Sequence, residues 1–262
     1  MEHDAAIRLS SFLGVFLVVA IAEHLWPRRA LNASKSQRWF CNIAIVVIDS
    51  VIARLALPLM PLGVAEIAKA KGWGLLNMVA LPRWIEIVTV ILLLDLVIYL
   101  QHRSFHRIPL FWRFHRMHHT DLDLDVSSGN RFHPIEILVS LSIKMCAVAL
   151  LGAPVIAVVI FEVVLNAGSL FNHGNLRIPT GADSLLRLII VTPDMHRVHH
   201  SIVPGETDSN FGFNLPWWDR ILNTYCSQPR AGHIGMTIGL KEFRDEQKLG
   251  LGSLLMLPFR RR

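Results

Sequence analysis

The sequence is short of charge and of cysteine, and several familiar catalytic motifs are missing from it. Charged residues make up only 18% of its 262 positions, while hydrophobic residues make up 52%. Soluble domains carry about 25% charge, so the deficit, with a mean hydropathy of +0.43, points to a membrane protein. The three cysteines, Cys41, Cys146 and Cys226, are odd in number and far apart, and no CxxC occurs. A disulfide framework and a zinc ribbon are therefore excluded, and Cys41 and Cys146 are expected to be buried apolar residues. HExxH is absent, which argues against a zinc-dependent hydrolase. GxSxG is absent too, and so are GxGxxG and any recognisable haem or iron–sulfur segment. The net charge of +6 comes without a nucleic-acid motif and reads as basic loops against anionic lipid. No basic stretch precedes the first apolar run, which is expected to be a membrane helix rather than a cleaved signal.

What the chain does have is long apolar segments. A span needs about 20 residues, and the expected spans are 7–26, 39–64 and 85–101. A further apolar stretch, 134–171, is split by Gly152-Ala153-Pro154 and reads as a hairpin whose ends return to one side. Residues 69–82 read as interfacial. Asp49 and Arg54 within the second span are expected to pair or to face a cavity, because polar groups at that depth are costly. The apolar patch from Leu249 to Phe259 suits either a membrane surface or a packed C-terminal helix. Arg28, Arg29, Lys35 and Arg38 place the first loop in the cytoplasm; Lys69, Lys71 and Arg83 run against that scheme. The expected fold is all-α, a single multi-span membrane bundle of four to five helices covering 1–262. Its cytoplasmic-face cap, 102–133 and 172–240, carries a histidine-rich di-metal site.

Thirteen histidines occur, ten of them between His102 and His200. They fall in HRSFH (His102, His106), HRMHH (His115, His118, His119), RFHPIE (His133), NHGN (His173) and HRVHH (His196, His199, His200). On a helix, positions i, i+3 and i+4 lie within an arc of about 100°, so each box presents its imidazoles on one side. Imidazole is a common ligand for late first-row metals. Eight or nine are too many for one four-coordinate ion and suit two ions. Calcium and magnesium, which require oxygen donors, are not expected. Single histidines at helix ends are ordinary polar residues, and His3, His24 and His233 are placed there. His133 precedes Pro134 and reads first as a helix cap, with an extra metal ligand as the alternative. Thr192-Pro193 reads as a helix start, which sets HRVHH in the opening turns.

These boxes, in this order, resemble the fatty acid hydroxylase/sterol desaturase superfamily of integral membrane di-iron oxygenases. The tail DSNFGFNLPWWDRILNTY resembles the closing segment of that family, and the likeness runs from about Asp95 to Tyr225. The resemblance implies that His102, His106, His115, His118, His119, His196, His199 and His200 bind two iron ions, with His173 as a further ligand. It also implies O2 as co-substrate and hydroxylation or desaturation of a lipid (fatty acyl, sterol or related). Electrons would come from a separate donor of the cytochrome b5, ferredoxin or rubredoxin kind with its reductase. The membrane would be the inner membrane in a bacterium or the endoplasmic reticulum in a eukaryote. No histidine pair lies between Pro134 and Asn172, where some fatty acid 2-hydroxylase relatives have one, which leaves His173, with His133 or a water, to complete the second ion.

Around the ligands, Asp95 lies two turns below His102 and could orient a ligand or pair with Arg54 or Lys144. Asp123, Asp194, Asp208, Asp219 and Asn172 are further candidates for outer support. The arginines of the four His-Arg pairs (103, 107, 116, 197) are expected to flank the site and meet lipid phosphate, or to dock an acidic electron donor. Trp112, Phe132, Phe171, Trp217 and Trp218 could wall a lipid pocket. Two other functions stand beside the oxygenase: a zinc-dependent membrane hydrolase, and a non-catalytic metal transporter or sensor.

Overall fold

The computed structural model describes residues 2–260, with side chains from Ala6 onward. Arg261, Arg262 and the side chains of Glu2, His3 and Asp4 lie outside the described residues. Among these residues the regular elements are helices, joined by two isolated bridges.

Five helices are long and apolar enough to cross a membrane, with the second running on into a following segment. Helix α1 spans Glu2–Leu25 and turns Leu13, Leu17 and Val18 outward, where lipid would lie. Helix α2 spans Lys35–Ala56 and starts at Ser34, whose hydroxyl accepts from the Gln37 amide. Apolar length predicts the second span over 39–64, but α2 stops at Ala56. A residue before proline is pushed out of the helical region, and Leu57, ahead of Pro58, is extended at φ −112° and ψ 108°. Helix α3, Pro61–Lys71, restarts with proline in its first turn. Helix α4, Arg83–Arg107, exceeds the expected third span and carries HRSFH as its last turns. Helix α5, Pro109–His119, carries HRMHH.

The hairpin is two helices, α6 over Pro134–Leu151 and α7 over Val155–His173. At about 1.5 Å per residue each is close to 28 Å long, enough for the hydrocarbon core. Gly152 turns the chain between them at φ 66°, a conformation open to glycine without steric cost. The remaining helices are short: α8 Thr180–Leu186, α9 Pro193–His199, α10 Pro204–Thr207, α11 Trp217–Ile221, α12 Gly232–Gly235 and α13 Leu251–Met256. Helix α4 packs on α5, α6 and α7, and α1 packs on α7. An apolar core of Val90, Leu94, Ile98, Val158 and Phe161 joins α4 to α7.

Polar ties seat the cap on this bundle. The Arg38 guanidinium is buried, with Nε 2.5 Å from Asp121 Oδ1 and Nη1 2.7 Å from Asp125 Oδ2. Burial pushes the Asp121 carboxyl up, but Arg38 and Arg131 beside it win and hold it well below the usual carboxylate range. Arg28 meets Asp194 at 3.0 Å, and Arg29 donates to the Met236 carbonyl at 2.9 Å. Three of the four cations that signal topology in the sequence are thus fastened to the cap. The tail takes the packed form: Leu254 and Leu257 are buried, and Arg116 Nη2 donates to the Leu257 carbonyl at 2.6 Å. Cys41 is buried as expected, whereas Cys146 is exposed on α6.

Candidate metal centre

Three α-helix ends and α9 meet where the bundle joins the cap. Helix α9 starts as the sequence suggests, with the Thr192 hydroxyl accepting from Met195 N and Pro193 in the first turn. On the other side, Arg131 is buried and fixes the end of α5, donating to Met117 O, to Thr120 Oγ1 at 2.9 Å and to Asn42 Oδ1 at 3.0 Å.

All nine expected imidazoles come together there, in two groups. His102, His106, His115, His119 and His199 form one; His118, His173, His196 and His200 form the other. Within each group the candidate ligand atoms lie within 4.8 Å of one another. Helical spacing predicts that each HxxHH box faces one side, and it does, but it feeds both groups. His115 and His119 go to the first group and His118 to the second; His199 goes to the first and His196 and His200 to the second. The arc of about 100° is wide enough to straddle two centres.

The hydrogen bonds around the rings decide which nitrogen faces inward. His102 Nδ1 donates to the Phe211 carbonyl at 2.8 Å, and His199 Nδ1 to the Ser209 carbonyl at 2.8 Å. His173 Nδ1 donates to the Ser169 carbonyl at 2.7 Å. A carbonyl only accepts, so each Nδ1 carries the proton and each Nε2 keeps its lone pair. Glu136 accepts from His115 Nδ1 at 2.6 Å, and Asp208 stands 3.4 Å from His106 Nδ1.

The arrangement fits metal. In the first group all five Nε2 atoms are buried and have no hydrogen-bond partner, a costly state for a lone pair unless something else uses it. In the second group His173 Nε2 lies 3.1 Å from Nε2 of both His118 and His196, and His200 Nε2 lies 3.3 Å from that of His196. Nitrogens sharing an ion at about 2.1 Å stand about 3.0–3.4 Å apart. Burial pushes the His115 imidazole down to about 3. Burial, then neighbouring imidazoles, pushes His118, His119, His196, His199 and His200 well below their usual value. Neutral imidazole is the form that binds metal.

The other expected residues fall outside the two groups. His133 caps α6, its Nδ1 accepting from Ile135 N and its Nε2 meeting Leu255 O at 3.1 Å. Asp95 pairs with neither Arg54 nor Lys144; it accepts from Asn214 Nδ2 and Trp218 Nε1, both at 2.8 Å, and from Leu215 N. Asp219 accepts from the Phe211 and Gly212 amides, each at 2.8 Å. Together Asp95 and Asp219 hold the segment whose Phe211 carbonyl orients His102. Asn172 holds it as well, donating to Phe213 O at 2.5 Å. Asp194 binds Arg28 and Arg197, and Asp123 accepts from the amides of Asn32 and Ala33. The lipid-phosphate role expected of the arginines fails for two of the four: Arg116 and Arg197 are buried and bonded within the protein. His233, expected as an ordinary polar residue at a helix end, is buried 3.6 Å from Asp194.

Two cavities approach the centre. One of about 450 Å³ enters between the spans and is lined by His102, His115, Phe132, Glu136 and Phe213. The other, of about 720 Å³, lies on the cap side and includes His106, Trp112 and Asp208. Phe171, Trp217 and Trp218 line neither; the Trp217 indole donates to Leu188 O at 2.7 Å.

Fold and site together define a multi-span helical membrane protein with paired histidine groups suited to metal ions. The fatty acid hydroxylase family model matches residues 87–224, more than half of the chain, and the chain belongs to that family. Among curated proteins it is 29% identical to an ornithine lipid hydroxylase from Rhizobium tropici, over 86% of this chain and 70% of that one. It is 31% identical to an alkylglycerol monooxygenase from Caenorhabditis elegans, over 50% of this chain and 25% of that one. It is 30% identical to a very-long-chain aldehyde decarbonylase from Oryza sativa, over 50% of this chain and 22% of that one. No solved structure matches the chain.

Proposed function

We propose that the protein is a membrane-bound non-haem di-iron oxygenase that hydroxylates or desaturates a lipid, using O2 and electrons from a separate donor. The observation that carries this is the gathering of nine imidazoles into two groups, the first of which lends His102 and His115 to the wall of a cavity between membrane spans. The named relatives include a lipid hydroxylase and a monooxygenase. Iron bound at the two groups would supply O2 activation and the oxidation of an unactivated C–H bond.

The chain's own residues do the rest. His102, His106, His115, His119 and His199 would hold one ion, and His118, His173, His196 and His200 the other. Glu136 and the carbonyls of Phe211, Ser209 and Ser169 keep the ligands in one tautomer and one orientation. Phe132 stacks on His118 with ring centroids 4.5 Å apart, and Phe211 and Phe213 pack on His102, which keeps water from that side. The cavity holds the lipid so that one carbon faces the histidines. We place the histidine face in the cytoplasm, where the basic loop 28–38 also lies.

Protein purified in detergent is expected to carry close to two irons per chain. His199→Ala is expected to lose metal and activity together. Lipid extracts from cells with the intact protein should contain a species that has gained one oxygen atom or lost two hydrogens. Stoichiometric zinc, with full activity in the absence of O2, would overturn the reading.

A further inference from the structure

The cavity between the spans carries charged side chains from four helices within a mostly apolar lining. Three of these groups, Glu162, Lys144 and Arg8, pair with one another. Glu162 on α7 sits 3.4 Å from Lys144 Nζ on α6 and 3.0 Å from Arg8 Nη1 on α1. Asp49 and Arg54, both on α2, do not. The Asp49 side chain is 7% exposed, its Oδ1 has no hydrogen-bond partner, and among the described residues no cation pairs with it. Arg54, an exposed residue, lines the same cavity, and no carboxylate pairs with it among the described residues. The two do not bond each other; five residues separate them, about 7.5 Å along the helix axis.

An unpartnered carboxyl inside a membrane bundle is costly, and ionisable residues at that depth mark substrate paths. An acid and a base held apart on one cavity wall ask for a ligand carrying the opposite charges at a similar separation. We propose that this cavity receives the zwitterionic head group of an aminolipid, its ammonium at Asp49 and its anionic group at Arg54. The acyl chains stay outside: the cavity of about 450 Å³ is of a size for a head group or a small ligand rather than a whole diacyl lipid. The inference names the substrate class for the oxygenase reading and rests on it. Recognition through Asp49, however, requires neither iron nor O2.

The test therefore reads binding first. Detergent-purified protein is incubated with phosphatidylethanolamine, with its N-acetylated derivative, whose amine is blocked, and with phosphatidylglycerol, which carries only the anion. Retained lipid is counted by native mass spectrometry. Wild type should favour phosphatidylethanolamine by about tenfold or more over both others, the scale of one charge-assisted contact. Asp49→Asn should abolish the preference over the N-acetylated lipid, and Arg54→Gln should weaken all three. Neither residue is a histidine ligand, so unchanged metal content certifies folding. An aminoacyl lipid with a carboxylate in place of the phosphate identifies which anion Arg54 prefers. Equal retention of the three lipids by wild type overturns the inference, and so does an unchanged preference in Asp49→Asn. Lipid oxidation without head-group preference removes this inference alone; head-group preference without oxidation removes only the oxygenase reading.

Discussion

Glu136 accepts a hydrogen bond from Nδ1 of His115 at 2.6 Å, tying the first turn of α6 to the last turns of α5. The carboxylate fixes the ring that contributes Nε2 to the first histidine group. Glu136→Ala should lower metal affinity by about 10- to 100-fold, the usual cost of losing an outer partner. Metal titration against a competing chelator measures it, and unchanged helicity by circular dichroism separates the effect from unfolding.

His173 and His133 make a contrasting pair. His173→Ala removes one of the four imidazoles of the second group and should lower metal content below that of the wild type. His133→Ala removes a helix cap and should leave metal content unchanged, at a cost of about 1 kcal/mol in stability. Metal analysis of the two variants side by side decides this; equal loss in both would return His133 to the ligand set.

Arg38 is the buried cation on which Asp121 and Asp125 converge. Arg38→Met strands both carboxylates and should destabilise the fold by about 3–5 kcal/mol. The shift in thermal unfolding, followed by near-ultraviolet circular dichroism, is the measure.

Acid should strip the centre. His115, His118, His119, His196, His199 and His200 have imidazole pKa values lowered in the fold, whereas an unfolded chain takes up protons near pH 6.5. The unfolded state therefore binds more protons below that pH, and stability falls as pH drops from about 6.5 toward the folded values, near 3 for His115. Metal retention should fall over the same window. Flat metal content from pH 7 to pH 4 would contradict neutral imidazole ligation.

The ligand candidates are legible in the sequence because three imidazoles at i, i+3 and i+4 suit metal binding and little else. The spans are legible from apolar length, except where Pro58 ends α2 early. How the boxes divide is hidden, since both destinations lie on one helix face. The outer partners are hidden as well. Three of them are backbone carbonyls, of Phe211, Ser209 and Ser169, which carry no residue signature. His102 and Phe211 are brought together across 109 positions of chain. Glu136 is visible inside RFHPIE but adjoins His133, and only the fold turns it toward His115 instead. Asp95 stands out for its depth, yet its partners, Asn214 and Trp218, lie about 120 residues away.

Because HRMHH and HRVHH each supply both groups, neither centre has a scaffold of its own. Whatever settles α5 and α9 around a first ion also sets the rings awaited by the second, so the ordering entropy for the second is already partly spent. Loading should therefore be cooperative, with singly occupied chains scarce at half saturation. The pair of ions would behave as one thermodynamic unit, assembled or lost together.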